Sequence, residues 1–139
     1  MDTTLEQNKA IVVRFNKEVI EQGNVETFNA LVAEDFVNHS APPGAPNGPE
    51  SMINFFTQVL LPAFPDLKAE IYDQVAEGDK VTTRKAFHGT HTGELMGIPA
   101  SNKKVVIHVI DIVKLRDGKY VEHWGMNNMQ SVMAQLAAK

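Results

Sequence analysis

Residues 105–115 read Val-Val-Ile-His-Val-Ile-Asp-Ile-Val-Lys-Leu, and they constrain the fold more than any other stretch of the chain. The β-branched content predicts a long strand. Alternate residues of a strand share a face. Ile107, Val109, Asp111 and Val113 therefore point one way, and Val106, His108, Ile110 and Ile112 point the other. Both sets are largely apolar, so both faces must be covered. Helices cover one face of such a sheet, and the other calls for a partner, which predicts a homodimer.

The flanking sequence says where the helices lie. Thr3 or Thr4 is placed to cap a first helix, and Ile11, Phe15, Val19 and Ile20 recur at helical spacing up to Gly23. Asn24 is positioned to cap a second helix over 25–33, followed by a short extended segment at 34–39. Residues 41–49 hold four of the seven prolines and two glycines, so a helix or central strand is not expected there. That loop is expected to cover a pocket mouth. A third helix spans 50–61, with Pro62 and Pro65 stopping it.

The period then changes. Leu67, Ala69, Ile71, Asp73 and Val75 alternate with polar residues as a half-buried strand, and 80–88 is a second. A glycine-containing loop, 89–102, precedes the long strand. Asp117-Gly118 is a hairpin turn, 120–127 returns as the last strand, and 130–138 forms a short terminal helix. Helices followed by a four-strand meander predict an α+β fold, with N-terminal helices packed on an antiparallel sheet. The chain reads as one domain over 1–139.

Composition narrows the function. A net charge of −4 and the lack of a Lys/Arg stripe argue against a nucleic-acid partner. No apolar run is long enough for a membrane helix, and Met1–Glu6 lacks a signal-peptide pattern. The absence of cysteine excludes disulfides and thiolate chemistry and fits a cytoplasmic setting. His88 and His91 have i, i+3 spacing, but Gly89 and Gly93 break the helix that would align them, so no metal is expected, and no phosphate loop or nucleophile elbow is present.

Asp111 is the informative residue, because a carboxylate within Val-Ile-Asp-Ile-Val must be paired or set in a polar pocket. The hairpin at 117–118 brings it toward His123, and Arg84 is the other candidate partner. Two readings stay open: a buried ion pair fixing the sheet, or a pocket carboxylate whose raised or lowered pKa serves proton transfer. His123 and His39 are the further catalytic candidates. Arg84, His91, Phe36, Phe56, Met96, Trp124 and Asn128 are the candidate substrate contacts.

The string Gly89-Thr90-His91-Thr92-Gly93-Glu94-Leu95-Met96-Gly97-Ile98-Pro99 closely resembles a loop of the SnoaL-like polyketide cyclases. Phe64-Pro65-Asp66-Leu67, Asp117-Gly118-Lys119 and Glu122-His123-Trp124 follow in that family's order, over nearly the whole chain. The resemblance implies the cone-shaped fold shared with nuclear transport factor 2, with a deep pocket and dimers. It also implies intramolecular aldol cyclisation of a small hydrophobic carbonyl compound without a cofactor. The alternative is a noncatalytic pocket protein of the same fold. Cyclases of this family carry an acid/base aspartate just after the His-Trp pair, where this chain has Gly125, Asn127 and Asn128. Asp111 would then have to act in its place.

Overall fold

The structure is a computed structural model that describes residues 3–138. Helix α1 (Thr3–Arg14) continues unbroken into a π-helical stretch, Phe15–Glu21. Thr3 and Thr4 both lie within this helix, and the residue before it lies outside the described residues. Gly23 ends this segment at φ 67°, and Asn24 caps α2 (Val25–Leu31) by accepting a hydrogen bond from the Thr27 amide at 3.1 Å. Strand β1 (Val32–Asn38) follows. The proline-rich loop leads to α3 (Pro49–Asn54), which runs through a second π-helical stretch, Phe55–Leu60, into a closing turn, α4 (Leu61–Ala63). Pro62 thus sits inside the last turn and does not stop the helix ahead of itself: the Leu61 amide still reaches the Phe56 carbonyl and the Phe64 amide reaches Leu60 at 3.0 Å, so only the bond of the missing Pro62 N–H is lost.

The rest is β2 (Lys68–Glu77), β3 (Lys80–Thr90), β4 (Lys104–Arg116), β5 (Lys119–Asn127) and the terminal helix α5 (Met129–Ala137). Asp117 and Gly118 turn the β4–β5 hairpin at φ 53° and 78°, the positive angles a two-residue hairpin of type I′ needs.

The order across the sheet is β1-β5-β4-β3-β2. Pairing is antiparallel from β2 to β5, but β1 joins β5 in parallel. The sheet is therefore mixed and five-stranded, and not the four-strand antiparallel meander expected. The segment around 34–39, too short and polar to signal a strand by itself, finds its partner 85 residues later. In β2 the pairing slips between Ile71 and Asp73, leaving Tyr72 as an extra residue. This bulge reverses the parity: Gln74 and Ala76 continue the face of Ala69 and Ile71, while Asp73 and Val75 turn to solvent.

The face carrying Val81, Thr83, Lys85 and Phe87 of β3 and Val105, Ile107, Asp111 and Val113 of β4 is buried under the helices. Val12, Phe15, Val19 and Ile20 cover it, with Phe15 stacked on Tyr120 at 4.3 Å between ring centroids. Each fully buried side chain of this kind contributes about 1.5–3 kcal/mol. The opposite face leaves Ile110 at 52% and Met126 at 80% exposure. No helix among the described residues is long and apolar enough to cross a membrane.

Candidate active site

A cavity of about 230 Å³ lies between the buried sheet face and the helices. Phe15, Ile20, Phe55, Phe56 and Leu60 enter it from the two π-helical stretches, and Met52, Met96 and Met129 complete its apolar wall. A π turn shifts side chains around the helix axis, and such turns concentrate at functional sites. The volume exceeds the 150 Å³ that holds a benzene and falls short of the ≈300–1,000 Å³ of drug-sized sites. A compact ligand fits.

Polar groups converge on the sheet side. Asp111 Oδ2 lies 3.0 Å from Lys85 Nζ, and both side chains are almost wholly buried. Lys85 also donates to Asn16 Oδ1 at 2.8 Å, while Asn16 donates to the Val12 carbonyl, so the π-helical end of the first helix anchors the ammonium. His123 Nε2 stands 3.4 Å from the same Asp111 oxygen, and His123 Nδ1 lies 2.9 Å from Asn38 Oδ1. Asp111 Oδ1 is buried with no hydrogen-bond partner. Tyr120 adds a phenol to the wall.

The charges follow from these contacts. Burial opposes ionisation of Asp111, but the Lys85 charge and the His123 contact outweigh it and hold the carboxyl below its usual range. Burial alone would raise the pKa, the Lys85 charge and the His123 contact reverse the direction, and Asp111 is a resident anion. Burial, and secondarily the Asp111 charge, pushes the Tyr120 phenol far up, so it stays a neutral hydrogen-bond donor.

The sequence paired Asp111 with His123 and Arg84, and the structure keeps only His123. Arg84 lies on the outer face, where it makes a two-nitrogen contact with Asp73 and sits 4.9 Å from the Tyr72 ring centre. Lys85, one residue along and on the other face, is the cation that sequence reasoning missed. A lysine surrounded by Arg84, Ala86 and Phe87 carries no mark of burial; only the β3–β4 pairing, Thr83 with Asp111, brings it into reach.

Phe56 and Met96 line the cavity as expected. Phe36 is buried in the core apart from the cavity lining. His39 stacks on Trp124 at 4.9 Å and meets Glu122 at 3.0 Å, on the far side of the sheet from Asp111. Trp124 and Asn128 line a broad open trough on that outer face, together with Tyr72, Arg84, Ile110 and Met126. Asn128 Oδ1 accepts the His108 amide at 2.8 Å. Residues 41–49 contribute nothing to the cavity lining, so they do not cover its mouth.

His91 is fully buried, with Nδ1 at 2.9 Å from Ser101 Oγ, and its backbone ties both ends of the 89–102 loop together. Thr90 bonds Asp66 through both its amide and its hydroxyl. Gly93 has no room for a side chain, because a Cβ there would run into the Pro62 carbonyl. The string that carries the resemblance is therefore mostly scaffold, and its contribution to the cavity is Met96, held at φ 45°.

The profile of the SnoaL-like polyketide cyclases matches residues 10–136. The chain belongs to the SnoaL-like polyketide cyclase family. Aklanonic acid methyl ester cyclase DauD of Streptomyces sp. (strain C5) is 24% identical over 114 residues, covering 81% of this chain and 71% of that protein. Among solved structures, a SnoaL-like protein from Jannaschia sp. CCS1 superposes with a TM-score of 0.87 at 25% identity, covering 100% of this chain and 97% of its own. IdmH from Streptomyces antibioticus, assigned as a polyketide cyclase, gives 0.81 at 31% identity, covering 95% and 99%. The SnoaL-like match fits the α+β arrangement of this chain.

Proposed function

We propose that this SnoaL-like protein performs acid/base chemistry on a compact hydrophobic carbonyl compound, with His123 Nε2 as the proton-exchanging atom. The observation that carries this reading is the placement of His123 Nε2 at 3.4 Å from an Asp111 carboxylate that Lys85 keeps ionised, at the wall of an apolar cavity. Histidine is the side chain suited to proton exchange near neutral pH. Asp111 acts as counter-charge: it stabilises the imidazolium that forms when Nε2 takes a proton.

For an intramolecular aldol closure the steps balance as follows. Nε2 takes the α-proton, and the C–H electron pair becomes the enolate. The enolate carbon bonds to a second carbonyl carbon of the same molecule. The new alkoxide recovers the proton from Nε2. The neutral Tyr120 phenol is placed to donate to the oxygen that gains charge.

Exchange of α-protons in D2O tests the first step without knowledge of the natural substrate. Benzoylacetone, a one-ring 1,3-diketone, serves as probe, followed by proton NMR. The wild-type chain accelerates exchange, and His123→Gln does not. Binding of the probe with no acceleration would overturn the catalytic reading. It would leave the second reading, a noncatalytic pocket, which the depressed Asp111 carboxyl and the glycine at position 125 favour.

We also infer a homodimer formed through the outer sheet face, because Val106, Ile110 and Met126 leave an apolar strip there that water covers poorly.

A further inference from the structure

We propose that Asp111 Oδ1 is the acceptor for a hydroxyl on the ligand, so that the cavity selects one-ring compounds carrying a phenolic or enolic O–H. The proposal rests on the reading of this cavity as the ligand site and names the chemical class it takes.

The argument starts from the two oxygens of one carboxylate. Oδ2 carries both contacts, Lys85 Nζ at 3.0 Å and His123 Nε2 at 3.4 Å. Oδ1 is buried and meets no donor among the described residues. Asp111 as a whole is 5% exposed, so bulk solvent does not supply one. A carboxylate oxygen has room for about two donors, and leaving it buried and unmet is costly. Folded proteins seldom keep such a group without a use for it.

The strand pairing explains why the protein provides no donor. Gly125 stands opposite Asp111 on β5 and has no side chain. Thr83 stands opposite on β3, and its hydroxyl oxygen accepts from Gln74 Nε2 at 3.3 Å. Lys85 divides its ammonium between Asp111 Oδ2 and Asn16 Oδ1. What adjoins Asp111 besides these groups is the cavity, whose wall it forms with Ile107 and Val109 of its own strand.

Charge and shape then fix the class of ligand. A cationic donor would meet the Lys85 ammonium, and an anion would meet the carboxylate itself. A neutral O–H meets neither penalty, and its bond to an ionised oxygen is about twice as strong as one between neutral groups. The helix side of the cavity is aromatic: Phe56 lies edge-on to Phe15 and to Phe55, each at 6.0 Å between ring centroids. Such a wall favours a flat ring, and a volume of about 230 Å³ holds one. Tyr120 lines the same cavity as a neutral donor, so a hydroxyl and a carbonyl on one molecule find complementary partners there.

The test measures binding of two one-ring probes, p-cresol and p-xylene, to the full chain by titration calorimetry. They differ only in O–H against CH3. In a cavity without an acceptor the xylene binds the tighter, since a buried hydroxyl loses its hydration. Wild type reverses that order. Lys85→Met combined with Asp111→Leu removes the ion pair with no charge left over and returns the preference to p-xylene, moving the ratio of the two affinities by about tenfold or more. Carbon-detected NMR of the carboxyl groups needs no variant: in wild type the Asp111 signal moves on adding p-cresol and stays in place with p-xylene. An affinity ratio equal in wild type and the double variant, or an Asp111 signal that ignores p-cresol, would overturn the proposal. Binding of neither probe overturns it together with the cavity as a ligand site. A wild-type chain that prefers p-cresol and leaves the α-protons of benzoylacetone unexchanged overturns the catalytic reading and leaves Asp111 Oδ1 standing as the hydroxyl acceptor.

Discussion

Gly125 pairs directly with Asp111 across the β4–β5 ladder, and a Cβ at Gly125 would stand 2.9 Å from His123 Cε1 and 3.6 Å from Asp111 Cβ. The glycine is the space in which the imidazole lies. The space beside Asp111 is here given over to a histidine leaning back along its own strand.

Gly125→Asp therefore does not restore a missing function. The new side chain displaces the His123 ring and sets a second carboxylate beside Asp111. Two neighbouring carboxylates cannot both ionise freely, so one of the pair titrates well above the ordinary aspartate range. Carbon-detected NMR of the carboxyl groups reads this directly, and His123 loses its contact with Asn38 in the same spectra. A variant with unperturbed His123 signals contradicts the crowding.

Lys85→Met and Asp111→Asn separate stability from chemistry. Each leaves the other member of a buried ion pair unpaired, and each is expected to cost about 3–5 kcal/mol in urea unfolding. The double variant loses much less than the sum, because no uncompensated charge remains. Additive losses would show that the two groups do not interact.

Acid lowers stability through Asp111. Its carboxyl ionises more readily in the folded chain than in the unfolded one, so its contribution is fully present above the unfolded value of about 3.9 and is lost as pH falls through the folded value. The stability gap between wild type and Asp111→Asn is therefore wide at pH 6 and narrows progressively as pH falls below about 4. A gap that is constant between pH 3 and pH 6 contradicts the depressed carboxyl.

The outer sheet face provides a fourth prediction. Light scattering at micromolar concentration shows a species of twice 15.4 kDa, and Ile110→Lys, which places a charge in the centre of the trough, reduces it to the monomer. A wild-type monomer removes the homodimer.

Sequence periodicity alone determined the helices, the long strand with its two faces, and the hairpin at 117–118, because these rest on interactions within a few residues. It also singled out Asp111, since a carboxylate flanked by Ile110 and Ile112 is conspicuous wherever the strand lies. It did not reach Lys85, Asn38 or the parallel partner of β1. Lys85 and Asn38 are ordinary polar residues whose roles depend on which strand lies opposite, a long-range pairing that local pattern does not encode. The parity of Asp73 and Val75 was lost to a single extra residue at Tyr72 for the same reason. The charge of Asp111 was decided last and only by the tertiary structure: burial by itself pushes a carboxyl up, and the Lys85 ammonium 3.0 Å away reverses the direction.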